Sequence, residues 1–173
     1  ATGHMSLEGV TTGDSNTATG YKAGEGISTG TRNIAIGISA LDAANTENDN
    51  LAIGYDALGG AVNGGEYNVA VGNYSMDALT SGDENTAVGF DAMTANTSGF
   101  NNTALGKDAM DALTQGSHNV AIGNDAGDAI QSGQQNVVIG SGADVSAEAA
   151  INQIVIGRSA VGAANNTVQL GNT

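Results

Sequence analysis

Apolar and polar positions along this chain recur every 17 residues. The pattern is plainest in Asn85-Thr86-Ala87-Val88-Gly89-Phe90-Asp91-Ala92-Met93 and its near-copy Asn102-Thr103-Ala104-Leu105-Gly106-Lys107-Asp108-Ala109-Met110. Aligned on the glycine, copies fall at Gly20, Gly37, Gly54, Gly72, Gly89, Gly106, Gly123, Gly140 and Gly157, with one step of 18 between Gly54 and Gly72. A shorter copy, Thr167-Val168-Gln169-Leu170-Gly171, follows after 14. So strict a period is the signature of a repeat architecture in which neighbouring copies stack to bury a shared core.

Within each copy the alternation has period two, as in a β-strand. Large apolar residues occupy the second and fourth places, as in Ile34/Ile36, Leu51/Ile53, Val69/Val71, Val120/Ile122, Val137/Ile139 and Ile154/Ile156. Between them, on the opposite face, stands a row of small or short residues: Ala35, Ala52, Ala70, Ala87, Ala104, Ala121, Val138 and Val155. A second apolar pair follows the glycine, as in Ala57-Leu58, Ala92-Met93 and Ala109-Met110. Helix is the rival for the Asp-Ala-Met-Asp stretches, but glycines recur too often for a helix of useful length. The pattern predicts an all-β chain, a parallel β-roll or β-solenoid of about nine to ten 17-residue coils. Stacked at about 4.8 Å per coil, they would make a rod on the order of 45 Å long. The expected arrangement has the Val/Ile/Leu face inside the coil and the alanine row outside. The alanine row is then the expected subunit interface of a parallel homotrimer.

Polar positions are equally regular. Each copy opens on asparagine, at Asn16 and then Asn33, Asn50, Asn68, Asn85, Asn102, Asn119 and Asn136, before Gln153 replaces it. Stacked amides can hydrogen-bond along a fibre axis or satisfy turn backbone as Asx-turns, so this row is expected to be structural. Glycine stands three residues before most of these asparagines, at Gly30, Gly65, Gly82, Gly99, Gly116 and Gly133, with Glu47 the exception. Copies differ most at 46–49 and 59–65, where receptor contacts are expected. Residues 1–5 look like a cloning remnant, and 6–173 read as one repeat domain with a weak first coil near 16–23 and a short last coil at 166–173.

Composition agrees with a thin repeated core. Apolar residues make up 40% of the chain but aromatics only 3%, whereas a compact globule draws on aromatic area. Twenty-seven glycines with no proline suit many turns and unbroken hydrogen-bond ladders, and no Gly-X-Y triplet admits collagen. A formal charge of −14, with only Lys22, Arg32, Lys107 and Arg158 as cations, supplies no basic footprint for nucleic acid or anionic membranes. Absence of cysteine removes disulfide and thiolate chemistry, and no apolar run approaches the roughly 20 residues of a membrane span.

Candidate chemistry is sparse. Outside residues 1–5 the single imidazole is His118, in the turn Gln115-Gly116-Ser117-His118, with nothing in the sequence to orient it as a base. Carboxylates recur with the repeat, whereas a glycosidase pair would break it at one place. Gly24-Glu25-Gly26-Ile27-Ser28-Thr29-Gly30 and Gly106-Lys107-Asp108 lack the spacing of dinucleotide and phosphate loops. No catalytic residue and no cofactor are expected. Asp91, Asp108 and Asp125 share one place in successive copies, with Asp77, Asp111 and Asp128 sharing another. Like charges stacked one coil apart repel unless they splay into water or hold a hard cation. Asp91, Asp108 and Asp125 are therefore the candidates for weakly bound calcium. A lattice-binding solenoid, of the ice-binding kind, would need Thr-x-Thr on consecutive coils, and here threonine occupies the second place only at Thr17, Thr86 and Thr103.

Asn119-Val120-Ala121-Ile122-Gly123 and Asn50-Leu51-Ala52-Ile53-Gly54 resemble the head repeats of YadA-like trimeric autotransporter adhesins, and similar repeats occur in phage tail fibres. Asn165–Thr173 is similar to the segment preceding the endosialidase-type chaperone of such fibres. The resemblance implies a left-handed parallel β-roll, three chains packed into one trunk, and a non-enzymatic role in cell adhesion or host attachment. It also implies a location at a cell surface or virion tail and a cell-surface receptor or glycan as partner. The adhesin repeat is usually about 14 residues, so a period of 17 implies a longer outer loop or another cross-section.

Overall fold

The computed structural model describes residues 1–172. Each corner glycine ends a three-residue strand. In chain order these are β1 (Thr17–Thr19), β2 (Ile34–Ile36), β3 (Leu51–Ile53), β4 (Val69–Val71), β5 (Thr86–Val88), β6 (Thr103–Leu105), β7 (Val120–Ile122), β8 (Val137–Ile139), β9 (Ile154–Ile156) and β10 (Val168–Leu170). They form one ten-stranded sheet in sequence order, every pair parallel. Equivalent residues pair: Ala87 meets Ala104 and Ala104 meets Ala121. The 18-residue step is absorbed outside the strands, since Ala52 still meets Ala70, and β10 meets β9 in register over its shorter spacing. Residues 1–5 join the stack: Thr2 bridges Thr19, and Lys22 donates its backbone N–H to the His4 carbonyl.

Backbone hydrogen bonds between coils extend well beyond the strands, through the turns at Met93 N to Ala109 O, Thr97 N to Thr114 O and Asn101 N to Asp83 O. To keep this ladder, each regular coil holds three places in the left-handed region. In the coil opened by Gly106 these are Asp108, Met110 and His118, with φ of 55°, 51° and 58°. Such backbone costs an L-residue about 1–2 kcal/mol, and the inter-coil bonds and core offset it. The corner itself requires glycine: Gly89 sits at φ 148°, and a Cβ there would collide with the carbonyl of Gly106 one coil on.

The inside of the coil reverses the expected orientation. The row Ala35, Ala52, Ala70, Ala87, Ala104, Ala121, Val138 and Val155 faces the core, each at most 1% exposed. It is therefore not an outer ridge, and these residues cannot serve as a subunit interface. The Val/Ile/Leu pairs point outward instead. The reason lies in the opposite wall, which sends Leu41, Leu58, Met76, Met93 and Met110, with Ile27, Leu79, Leu113 and Ile130, into the same narrow interior. Close packing at interior density leaves room for only a methyl group at most strand centres. The larger Val138 and Val155 stand in the last coils, where Gly127 and Asp144 replace that Leu/Met row.

Candidate functional site

With the interior filled by Leu, Met, Ile and Ala side chains, the core itself holds little polar chemistry. Two surface hollows lie at the two ends of the stack, one lined by Gly3, His4, Met5, Ser6 and Glu8 and the other by Val161, Gln169, Gly171 and Asn172. Three longitudinal features run between them: an outward apolar stripe, a carboxylate flank and a buried amide ladder.

The stripe consists of the first and third residues of every strand. Ile34, Ile36, Leu105, Ile154 and Ile156 are exposed, and Leu51, Ile53, Val69, Val71, Val120, Ile122, Val137 and Ile139 are half-buried only by their neighbours along the sheet. Aromatic residues border it just past the corner glycines. Tyr55 meets Tyr74 edge-on at 5.2 Å, Tyr74 meets Phe90 at 5.9 Å, and the Lys107 ammonium lies 5.8 Å from the Phe90 ring. Sequence reasoning found the pairs that make this stripe but put them inside. The signal that could have corrected it was the alanine that stands between them in every strand from β1 to β7.

The asparagine row is a ladder. Asn102 Oδ1 accepts the backbone N–H of Asn119 at 3.0 Å, while Asn102 Nδ2 donates to the Gly116 carbonyl at 2.8 Å and to Asn85 Oδ1 at 3.1 Å. The first two of these bonds repeat from Asn33 to Asn136, with every amide buried, and the amide-to-amide bond recurs at Asn33, Asn85, Asn119 and Asn136. Gln153 ends it by donating its backbone N–H to Asn136 and turning its longer amide to Ser146. These groups are spent on the fold, since a buried amide needs every partner it has.

On the flank, residues two and five places after the corner glycines lie close enough to act on one another. Burial pushes the Asp42, Asp77, Asp91 and Asp144 carboxyls up, and a neighbouring carboxylate adds to each: Asp56, Asp91, Asp108 and Asp128 respectively. Asp111 goes furthest, to about 6, through burial, then Asp128 and Asp108. Cations answer little of this. Lys22 pairs with Glu25 at 2.9 Å and Lys107 with Asp108. Of the calcium candidates, Asp108 holds Lys107 and Asp125 accepts from Asn124 Nδ2 at 2.8 Å. Among the described residues, no three His, Cys, Asp or Glu side chains converge as metal ligands. His118 is an exposed turn residue, edge-on to Phe100 at 5.3 Å.

Glu47, visible in the sequence only as a break in a glycine row, is buried. Its Oε2 accepts the backbone N–H groups of Asn45 at 2.7 Å and Thr46 at 2.9 Å, and its Oε1 accepts that of Gly64 at 2.9 Å. It thus joins the two divergent turns, 46–49 and 59–65, across the coil that carries the extra residue. Burial alone would raise its carboxyl, but these amides outweigh burial and hold it below the usual range.

No family model matches the chain. No curated protein matches it. No solved structure matches it.

Proposed function

We propose that this chain is a non-enzymatic structural and adhesive fibre module that assembles with copies of itself as a parallel homotrimer. The outward apolar stripe carries this reading. A two-row band of mainly Ile, Val and Leu, exposed or half-buried along β2–β10 and broken by threonine only at Thr86 and Thr103, is larger than a soluble monomer normally leaves in water. Its rows run straight because the strands are in register, so they suit a second sheet of equal length and pitch. A closed cyclic arrangement buries the same face of every copy. The work of such a trunk is mechanical: stiffness along the axis and repeated display of outer turns to a cell-surface receptor or glycan. The turns at 46–49 and 59–65, held together by Glu47, are the proposed contact region.

Light scattering on the purified chain tests the assembly. The expected mass is that of three chains, and Ile122→Asp, which puts a charge in the middle of the stripe, is expected to yield monomer with the coil's circular dichroism intact. A monomeric parent protein overturns the trimer. It would favour a second reading, a lattice-binding surface, which draws support from the same in-register rows and from the outward positions of Thr17, Thr19, Thr86 and Thr103. Thermal hysteresis of a dilute solution checks that alternative.

A further inference from the structure

Coil stacking brings two columns of acids onto one flank. One column holds Asp56, Asp91, Asp108 and Asp125, two places after the corner glycines, and the other holds Glu25, Asp42, Asp77, Asp111 and Asp128, five places after them. At the middle of this flank one oxygen is anomalous. Asp111 Oδ1 is buried, and among the described residues no donor reaches it. Most buried polar atoms in folded proteins have a partner, so an orphan calls for an explanation.

Its surroundings narrow the choice. The next coil presents Asp128 directly to it, and its own coil presents Asp108. At the matching place in the preceding coil stands Thr94, whose hydroxyl donates to the Asp91 and Tyr74 carbonyls. The one ammonium nearby, Lys107, is held by Asp108. The Ala112 amide favours the ionised carboxyl, but burial and the two facing carboxylates oppose it more strongly. What the pair lacks is a donor, and a single proton supplies one. Taken from solvent by either carboxylate, it becomes an O–H that donates to the other, cancels one of two like charges and satisfies the orphaned oxygen.

We propose that Asp111 and Asp128 form a proton-dependent clasp between adjacent coils, so that the rod is held together more firmly in mildly acidic surroundings than at neutral pH. The sign follows from linkage. Asp111 binds its proton more tightly folded, at about 6, than unfolded, near 3.8. Its contribution is therefore fully present below 3.8 and is lost as pH rises through about 6. Asp42, Asp77, Asp91 and Asp144 shift the same way and broaden the effect. Glu47 and Asp49, shifted downward, work in the opposite sense and remove stability only at lower pH, as it falls through their folded values. The clasp does not depend on how many chains assemble, provided comparisons are made at one protein concentration.

The test is thermal unfolding of the whole chain at pH 5.0 and 7.5 in EDTA, for the parent protein, Asp111→Asn and the exposed control Asp14→Asn. The parent midpoint is expected to be higher at pH 5.0. Asp111→Asn, whose amide can donate to Asp128 at any pH, should gain about 3 °C over the parent at pH 7.5 and lose much of the pH dependence. Asp14→Asn should keep that dependence. A parent midpoint that is flat or rises with pH overturns the clasp, as does an Asp111→Asn slope equal to the parent's. Equal flattening by Asp14→Asn would assign the effect to net charge instead, which also overturns it. A stabilisation by millimolar calcium at pH 7.5 that Asp111→Asn abolishes would replace the proton by a cation. If the variant fails to fold, carbon-13 titration of the parent decides: an Asp111 carboxyl titrating near 6 supports the clasp, and one titrating below 4.5 refutes it.

Discussion

Glu47, a buried carboxylate, and Asp111, a half-buried one with a buried Oδ1, stand in one repeating scaffold, and their environments push them in opposite directions. Glu47 stands where most coils have glycine, and the turn that accommodates it aims the N–H groups of Asn45, Thr46 and Gly64 at its two oxygens. Asp111 stands between Thr94 and Asp128 in its column, with Asp108 alongside, and among the described residues one of its oxygens has no donor. Burial disfavours charge at both sites. What separates them is the supply of donors, and that supply depends on whether the residue breaks the repeat or obeys it. A residue that departs from the pattern can have a turn shaped around it. A residue that follows the pattern meets its own copy one coil away, and for an acid that copy is a repelling one. The amide ladder shows the favourable side of the same rule: asparagine carries both donor and acceptor, so it can pair with itself indefinitely.

The sharpest way to break this contrast is to place an acid in the amide ladder. Asn102→Asp would set a carboxylate oxygen against the Gly116 carbonyl, where Nδ2 now donates at 2.8 Å. We expect a loss of about 3 kcal/mol or more at pH 7.5, shrinking on acidification as the new carboxyl takes up a proton, measured by denaturant unfolding at two pH values. Next in size is Glu47→Ala, which strands the three backbone donors that its carboxylate serves. A loss of about 2 kcal/mol is expected at pH 7.5, and amide exchange of Gly64 should accelerate with it, because that residue is held from the preceding coil. The smallest effect belongs to Asp49, which meets Arg32 at 2.6 and 2.7 Å in the open. The Arg32 hydrogen bond lowers its carboxyl, yet solvent and salt screen an exposed pair. Asp49→Asn should leave the unfolding midpoint within error, and a clear loss there would mean that geometry matters more than burial on this surface.

Much of this could be read from the sequence. The 17-residue period, the corner glycines, the strand at each copy and the structural role of the asparagines all follow from rules that act within one coil or between equivalent positions. A glycine such as Gly89 recurs because a Cβ there would strike the next coil, and an asparagine recurs because it pairs with its own copy. The carboxylate columns were also visible as shared places in successive copies. What was not visible is which members are orphaned, since that depends on Lys107 lying against Asp108 rather than reaching Asp111.

Sequence alone therefore determined a rod of parallel coils stacked in register, with two alternating faces on its sheet. It did not determine which face is inside. Alternation with period two is the same whichever side is buried, and the greater apolar area of Ile and Val argues for the wrong one when the sheet is considered by itself. Only the tertiary structure decided, because the opposite wall fills the interior with Leu and Met and leaves each strand the space of an alanine. That choice buried the row expected to join subunits and turned the large aliphatic side chains outward. The join between Glu47 and Gly64 was decided in the same way, by backbone that comes together only when two irregular turns stack.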